Sequence, residues 1–166
     1  MKVSECMSTE VKVVTPDDTV QEAAVAMAEQ DVGVLPVAID LQLVGIVTDR
    51  DIAIRGVGKG LGPDTVVEDV MSREVQCCFA GQDSAEVLET MSQIQVRRLP
   101  VVDDGRRLVG IVSLTDLAAA EARHAELQAR FGDTVVLVHG QLRPEMKDAA
   151  MERFARGEAR LLVATT

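Results

Sequence analysis

Two short constellations carry residue types that could do chemistry: Thr48-x-x-Asp51 and Ser113-x-x-Asp116. Each ends an apolar run, Leu43-Val44-Gly45-Ile46-Val47 in the first and Leu108-Val109-Gly110-Ile111-Val112 in the second, so each hydroxyl marks a strand passing into a helix. Such a junction exposes unpaired backbone N–H groups beside the positive end of a helix dipole, which suits a phosphate. The hydroxyl adds a donor, and the carboxylate one turn on can accept from the hydroxyls of a ribose, as acceptor carboxylates do in dinucleotide folds. Val34-Leu35-Pro36 and Val13-Val14-Thr15 offer apolar walls for a flat base. The same spacing is that of a simple helix capping box, and spacing alone leaves both readings open. Arg50 beside the first junction, and Arg97-Arg98 before Leu99-Pro100, are the local cations an anion would need. Adjacent strand residues face opposite ways, so only one of Arg97 and Arg98 can face a given cleft.

The elements that must position these residues occur twice. Val3, Met7, Ser8, Glu10, Val11, Met27, Val32, Leu35, Pro36 and Val37 recur as Val67, Met71, Ser72, Glu74, Val75, Met91, Val96, Leu99, Pro100 and Val101. One extra residue then enters at the polar turn Asp103-Asp104-Gly105-Arg106-Arg107, where a repeated fold tolerates insertion best. In each copy a short strand (11–15 in the first) precedes a capped helix. Thr19-Val20-Gln21-Glu22 has the hydroxyl at N-cap and the carboxylate at N3, and Asp83-Ser84-Ala85-Glu86 is a weaker version. Val20, Ala23, Ala24, Met27 and Ala28 form the apolar face of the first helix, and Val87, Leu88 and Met91 that of the second. Two apolar runs follow, 32–39 and 43–47 in the first copy, joined as a hairpin, and a second helix starts at Thr48 and stops near Gly56. The unit is β-α-β-β-α, and two such units, each small for an independent core, are expected to pack together with pseudo-twofold symmetry.

Composition narrows the function. Net charge is −10, and residues 1–120 hold 10 Lys and Arg against 20 Asp and Glu, while residues 121–166 hold 7 against 7. With no Trp, no Tyr and three Phe, the repeated part repels phosphate backbones and lacks stacking platforms, which disfavours nucleic acid. No apolar run approaches the roughly 18 residues of a membrane span and no secretory leader is visible, so the expected location is cytoplasmic, away from membranes. Cys6, Cys77 and Cys78 lack zinc or disulfide spacing and read as free thiols. No nucleophile is paired with a base, and neither His124 nor His139 has an evident partner, which argues against an enzyme.

The remaining segments connect or extend the repeats. The glycines of Arg55-Gly56-Val57-Gly58-Lys59-Gly60-Leu61-Gly62-Pro63 suggest a phosphate loop, but Lys59 precedes Gly60 rather than Ser or Thr, so 57–66 reads as a linker. The expected divisions are 1–56, the linker, 67–120, a helix over 121–132 closed by Gly132, and a β-α-β tail over 133–166. In the tail, strands at 134–138 and 161–164 flank a helix from Pro144 with Met146, Ala150 and Phe154 on its apolar face, ending at Gly157.

The paired Met-Ser starts, the paired Leu-Pro-Val strands, and Gly-Ile-Val-Thr-Asp-Arg-Asp with its partner Gly-Ile-Val-Ser-Leu-Thr-Asp resemble a tandem pair of cystathionine-β-synthase (CBS) domains over residues 3–120. The resemblance implies an α/β (α+β) fold with two clefts and, commonly, a face-to-face homodimer. It implies a non-catalytic regulatory role, an adenosyl ligand (AMP, ADP, ATP or S-adenosylmethionine), and no required cofactor or metal. Thr48 and Ser113 would then contact phosphate and Asp51 and Asp116 ribose, with Thr15, Val34, Leu35, Pro36, Arg50, Arg97, Arg98 and Pro100 around them. Thr15-Pro16 becomes Phe79-Ala80 and Gly33-Val34 becomes Arg97-Arg98, so the two clefts should not bind alike. A ligand-free structural or interaction dimer is the alternative. Residues 131–166, through Val136-Leu137-Val138-His139-Gly140-Gln141 and Leu162-Val163-Ala164-Thr165-Thr166, resemble part of the second motor domain of RecG-type DNA helicases. That implies, more remotely, an accessory helicase fragment, although the chain contains no phosphate loop to hydrolyse ATP.

Overall fold

The structure is a computed structural model that describes residues 1–131, 135–139, 144–156 and 161–165. In the first repeat, α1 (Val20–Glu29) starts from a reciprocal box: Thr19 Oγ1 accepts from the Glu22 amide at 3.2 Å, and Glu22 Oε2 accepts from the Thr19 amide at 2.8 Å. That arrangement satisfies two donors a helix start leaves orphaned, worth about 1 kcal/mol. The helix buries Val20, Ala23, Ala26 and Met27. Ala24 and Ala28, expected on that face, are exposed. The contact stripe instead runs along the i, i+3, i+7 edge, with Ala26 filling the place the sequence pattern gave to its neighbours.

Strands β1 (Val34–Ile39) and β2 (Gln42–Thr48) form an antiparallel hairpin that pairs Val34 with Thr48, with a register shift between Val37 and Ala38. Asp40 and Leu41 turn it with φ of 49° and 68°. Positive φ at both central positions matches the turn to the strand twist. The chain then makes one α-helical turn, α2 (Asp49–Asp51), widens into a π-helix (Ile52–Gly56) and closes with a 3₁₀ turn (Val57–Lys59) at left-handed Gly60. The strand expected over 11–15 is reduced to one parallel bridge between Val14 and Val37. Pro16 has no amide to donate, and the Thr15 amide turns to Asp18 Oδ2 at 2.7 Å, so the chain leaves the sheet after one residue.

In the second repeat, α3 (Val67–Val70) precedes β3 (Cys78–Phe79), α4 (Ser84–Gln93), β4 (Arg98–Val102), β5 (Leu108–Ser113) and α5 (Leu114–Phe131), with sheet order β3-β4-β5. Of its expected apolar residues, Val87 and Met91 are buried and Leu88 is half-buried. Ser84, with no exposed surface, replaces a hydrocarbon at the start of that face, and its single hydroxyl proton is shared between the Met1 carbonyl, 2.7 Å away, and the Glu121 carboxylate.

The compact units do not follow the repeats. One comprises residues 1–9, 79–99 and 110–166; the other comprises 10–78 and 100–109. The lead-in of each repeat is therefore hydrogen-bonded to a strand of the other copy. Ser8 exchanges both backbone bonds with Ile111 at 2.9 Å, and Ser72 exchanges both with Ile46 at 2.8 and 2.9 Å. Close approach at these bridges requires glycine. A Cβ at Gly45 would lie 2.6 Å from Met71 Sδ, and one at Gly110 would lie 2.6 Å from Met7 Sδ and 2.8 Å from the Ser8 carbonyl. The repeated Met-Ser and Gly-Ile pairs are thus the two sides of one contact, made twice. In the second unit the core gathers Val14, Leu35, Val37 and Val47 with Val67, Val70 and Met71 of the incoming lead-in. Burying each such side chain contributes about 1.5–3 kcal/mol.

Strands β6 (Val135–His139) and β7 (Leu161–Thr165) pair in parallel, with α6 (Pro144–Ala155) between them in sequence, the expected β-α-β. The expected apolar face of Met146, Ala150 and Phe154, and Gly132, Thr134 and Gly157, lie outside the described residues or side chains.

Candidate functional site

The first junction is assembled at one end of the β1–β2 hairpin. Thr48 ends β2 opposite Val34, and the Asp49 amide donates to the Gly33 carbonyl at 3.1 Å. Thr15, expected in the same set, is not brought to this end, because the parallel bridge of Val14 to Val37 carries the chain on toward Ala38 and the hairpin turn. Thr48 and Asp51 bond each other. Thr48 Oγ1 donates to Asp51 Oδ2 at 2.7 Å and accepts from the Asp51 amide at 3.0 Å, and the Thr48 amide donates to the same Oδ2 at 3.0 Å. The capping box is therefore real, and it uses one carboxylate oxygen. The other, Oδ1, lies 3.6 Å from Arg55 Nε. Arg55 Nη1 donates to the carbonyls of Val70 at 3.0 Å and Met71 at 3.1 Å, and to Ser72 Oγ at 3.1 Å. Thr15 and Arg50 are exposed, and Val34, Thr48 and Asp51 half-buried. Leu35, 2% exposed, and Pro36 belong to the interior, so they support the surface rather than line it.

The second junction repeats the cap with different neighbours. Ser113 Oγ donates to Asp116 Oδ2 at 2.6 Å and accepts from the Asp116 amide at 3.0 Å. The Leu114 amide donates to the Arg97 carbonyl at 2.9 Å, the counterpart of the Asp49–Gly33 bond. Arg97 is exposed and Arg98 half-buried, in keeping with opposite strand faces. Arg97, Arg98, Ser113 and Asp116 fall in one compact unit, whereas buried Pro100 falls in the unit that holds all seven residues of the first set.

Sequence reasoning missed Arg55, and it named Gly33 only as a point of difference between the clefts. Arg55 stands four residues after Asp51, the spacing at which helical charges pair, and that signal was available. What packs against Gly33 was not legible, because the Asp49 carboxylate, 2.9 Å from where a Cβ would sit, reaches it only in the folded chain. A cavity of about 440 Å³ between residues 12–18 and α1, with Lys12, Val14, Asp18, Val25 and Glu29 in its lining, was also unforeseen.

Among the described residues no group of three or more His, Cys, Asp or Glu is placed to hold a metal ion, and no helix is long and apolar enough to cross a membrane. Burial, with the Glu5 and Glu121 carboxylates adding to it, pushes the Cys6 thiol up to about 12. It is held as a thiol rather than as a nucleophilic or ligating thiolate.

A twice-repeated α+β unit whose hairpin feeds a capped helix defines a tandem-repeat module. The family model described as CBS domain matches residues 3–57 and again residues 67–123, and the chain belongs to that family. Hypoxic response protein 1 of Mycobacterium tuberculosis is 39% identical over 124 residues, covering 74% of this chain and 86% of that protein. Its crystal structure, with two coordinated zinc ions, matches with a TM-score of 0.65 over 72% of this chain and 98% of that one, at 36% identity. CBSX2 in complex with AMP matches at 0.67 and 25% identity. The CBS pair of protein MJ0100, in complex with 5′-methylthioadenosine and S-adenosyl-L-methionine, matches at 0.65 and 27% identity. Each of these two covers 75% of this chain and 98% of its own. The likeness of residues 131–166 to a helicase motor is not borne out, and the family matches end at residue 123.

Proposed function

We propose that this chain is a non-catalytic CBS-pair sensor that binds an adenosyl ligand of the AMP, ADP, ATP or S-adenosylmethionine class at the first junction. The reading rests on the convergence of Val34, Thr48, Arg50 and Asp51 at one end of the hairpin. Arg50 and the helix start at Asp49 would meet phosphate, Asp51 Oδ1 would accept from ribose, and Val34 would flank the base. The adenosyl complexes of related CBS pairs support the ligand class. The second junction, with Arg97, Arg98, Ser113 and Asp116, would bind differently or not at all. The module acts in the cytoplasm, avoids nucleic acid through its excess acid, and forms a homodimer through apolar surface such as Val25, Ile54 and Val57, which are 51, 53 and 71% exposed.

The test is a thermal-shift series with AMP, ADP, ATP and S-adenosylmethionine, with GTP as control. A ligand at a hundred times its dissociation constant stabilises by about 2.7 kcal/mol, a shift of several degrees. A rise with an adenosyl ligand and none with GTP is expected; no rise with any of them overturns the reading. One observation favours a second reading, a ligand-free interaction dimer: both hydroxyl–carboxylate pairs already satisfy each other as helix caps. That reading expects no shift and an unchanged dimer in each solution.

A further inference from the structure

Arg55 closes a ring of contacts at the first junction. Ile46 and Thr48 lie two residues apart on β2. Thr48 holds Asp51, Asp51 faces Arg55, Arg55 holds Val70, Met71 and Ser72, and Ser72 returns to Ile46 through two backbone bonds. The carbonyls of Val70 and Met71 end α3, where a helix leaves acceptors without intrahelical partners, so the guanidinium is their cap. The π turn carries Arg55, and the wider turn is a form that recurs at functional positions in helices. In the second repeat the corresponding position is Ala120, so no such ring can form there.

We propose that Arg55 is a positioning residue that couples occupancy of the first junction to the seating of residues 70–72, the lead-in of the second repeat. The proposal rests on the adenosyl-ligand reading, in which a ribose hydroxyl donates to Asp51 Oδ1. A ligand bound there fixes the carboxylate that faces Arg55, and the fixed guanidinium holds the Val70 and Met71 carbonyls and Ser72 against β2. Coupling of this kind is reciprocal: whatever the ligand adds to the hold on 70–72, that hold returns to ligand affinity.

The experiment is hydrogen exchange of the full chain with and without AMP, ATP or S-adenosylmethionine, alongside a binding titration with the same three. In the wild-type chain the bound ligand is expected to slow exchange of the Ile46 and Ser72 amides. In Arg55→Ala the ligand still binds, roughly five- to tenfold more weakly, and the slowing at Ile46 and Ser72 disappears. Arg55→Lys, which keeps the charge but cannot span the carbonyls and Asp51 together, retains a fraction of the slowing and serves if the alanine variant fails to fold. A purely structural Arg55 would speed exchange equally in both states and leave the ligand-induced difference intact, which would overturn the inference alone. No binding of any of the three by the wild-type chain overturns both this inference and the functional reading beneath it.

Discussion

At the first junction a glycine, an aspartate and an arginine (Gly33, Asp49, Arg55) surround the same hydroxyl–carboxylate cap that at the second is surrounded by Arg97, Leu114 and Ala120. The caps agree closely, with Thr48–Asp51 at 2.7 Å and Ser113–Asp116 at 2.6 Å. The helices behind them differ, one α turn and a π turn against the 18 residues of α5. A motif shared by both copies therefore specifies the helix start, and its neighbours decide what else the site can do.

The comparison can be broken most decisively by binding. Thr48→Ala with Asp51→Ala is expected to weaken the adenosyl ligand at least about a hundredfold, close to 2.7 kcal/mol, whereas Ser113→Ala with Asp116→Ala changes it less than about threefold; equal losses in a calorimetric titration would erase the distinction. The glycine contacts come next. Gly110→Ala forces a methyl group against the Ser8 carbonyl as well as Met7, where Gly45→Ala meets chiefly the movable Met71 thioether. Overpacking at such sites costs about 1–3 kcal/mol, so urea denaturation should put Gly110→Ala near the upper end and Gly45→Ala near the lower.

Arg55→Ala removes the donor to the carbonyls of Val70 and Met71 and should lower stability by about 1 kcal/mol, the scale of a partly exposed charged hydrogen bond. Cys6 and Val70 occupy matching positions in the two lead-ins, and only the cysteine can titrate. Its folded value of about 12 stands above the ordinary 9.0, so its contribution is constant below about pH 9 and is lost as the unfolded thiol ionises between there and pH 12. Cys6→Val should flatten the alkaline arm of a stability-versus-pH curve. The smallest effect is at the helix cap of the second repeat. The chain's amino group, 3.3 Å from Asp83 Oδ2, and the Ala85 amide hold the Asp83 carboxyl below its ordinary range. Its contribution is present above the ordinary value and is lost as pH falls through the lowered one, so Asp83→Asn should slightly reduce acid sensitivity in a stability-versus-pH curve.

Much of this arrangement was legible because it is local. The Thr19–Glu22 box, the hairpin at residues 34–48 and the change of helix at Pro144 follow from spacing and turn chemistry within a few residues. The exchange of lead-ins was not, because nothing in the periodicity of residues 3–9 says that Ser8 will meet Ile111. The repeated Met-Ser pairs were visible as a pattern, but their partners, Gly45 and Gly110, are recognisable as partners only once the backbone approach is known. The strand expected over 11–15 failed for a local reason that composition contained: Pro16 and Asp18 end it as soon as it begins. The site was half legible, since residue types named the cap while burial withdrew Leu35 and Pro36 into the interior.

The exchanged lead-ins also impose an order in time on a chain made from its amino end. Met71-Ser72 emerges after Ile46 and can seat at once. Met7-Ser8 must wait for Ile111, about a hundred residues later, a long-range closure of the kind that slows folding. Until then Gly45-Ile46, which receives the same dipeptide of the other copy in the native fold, is a competing berth for Met7-Ser8, so the repetition that builds the native contact twice also gives the chain a second pairing to choose against.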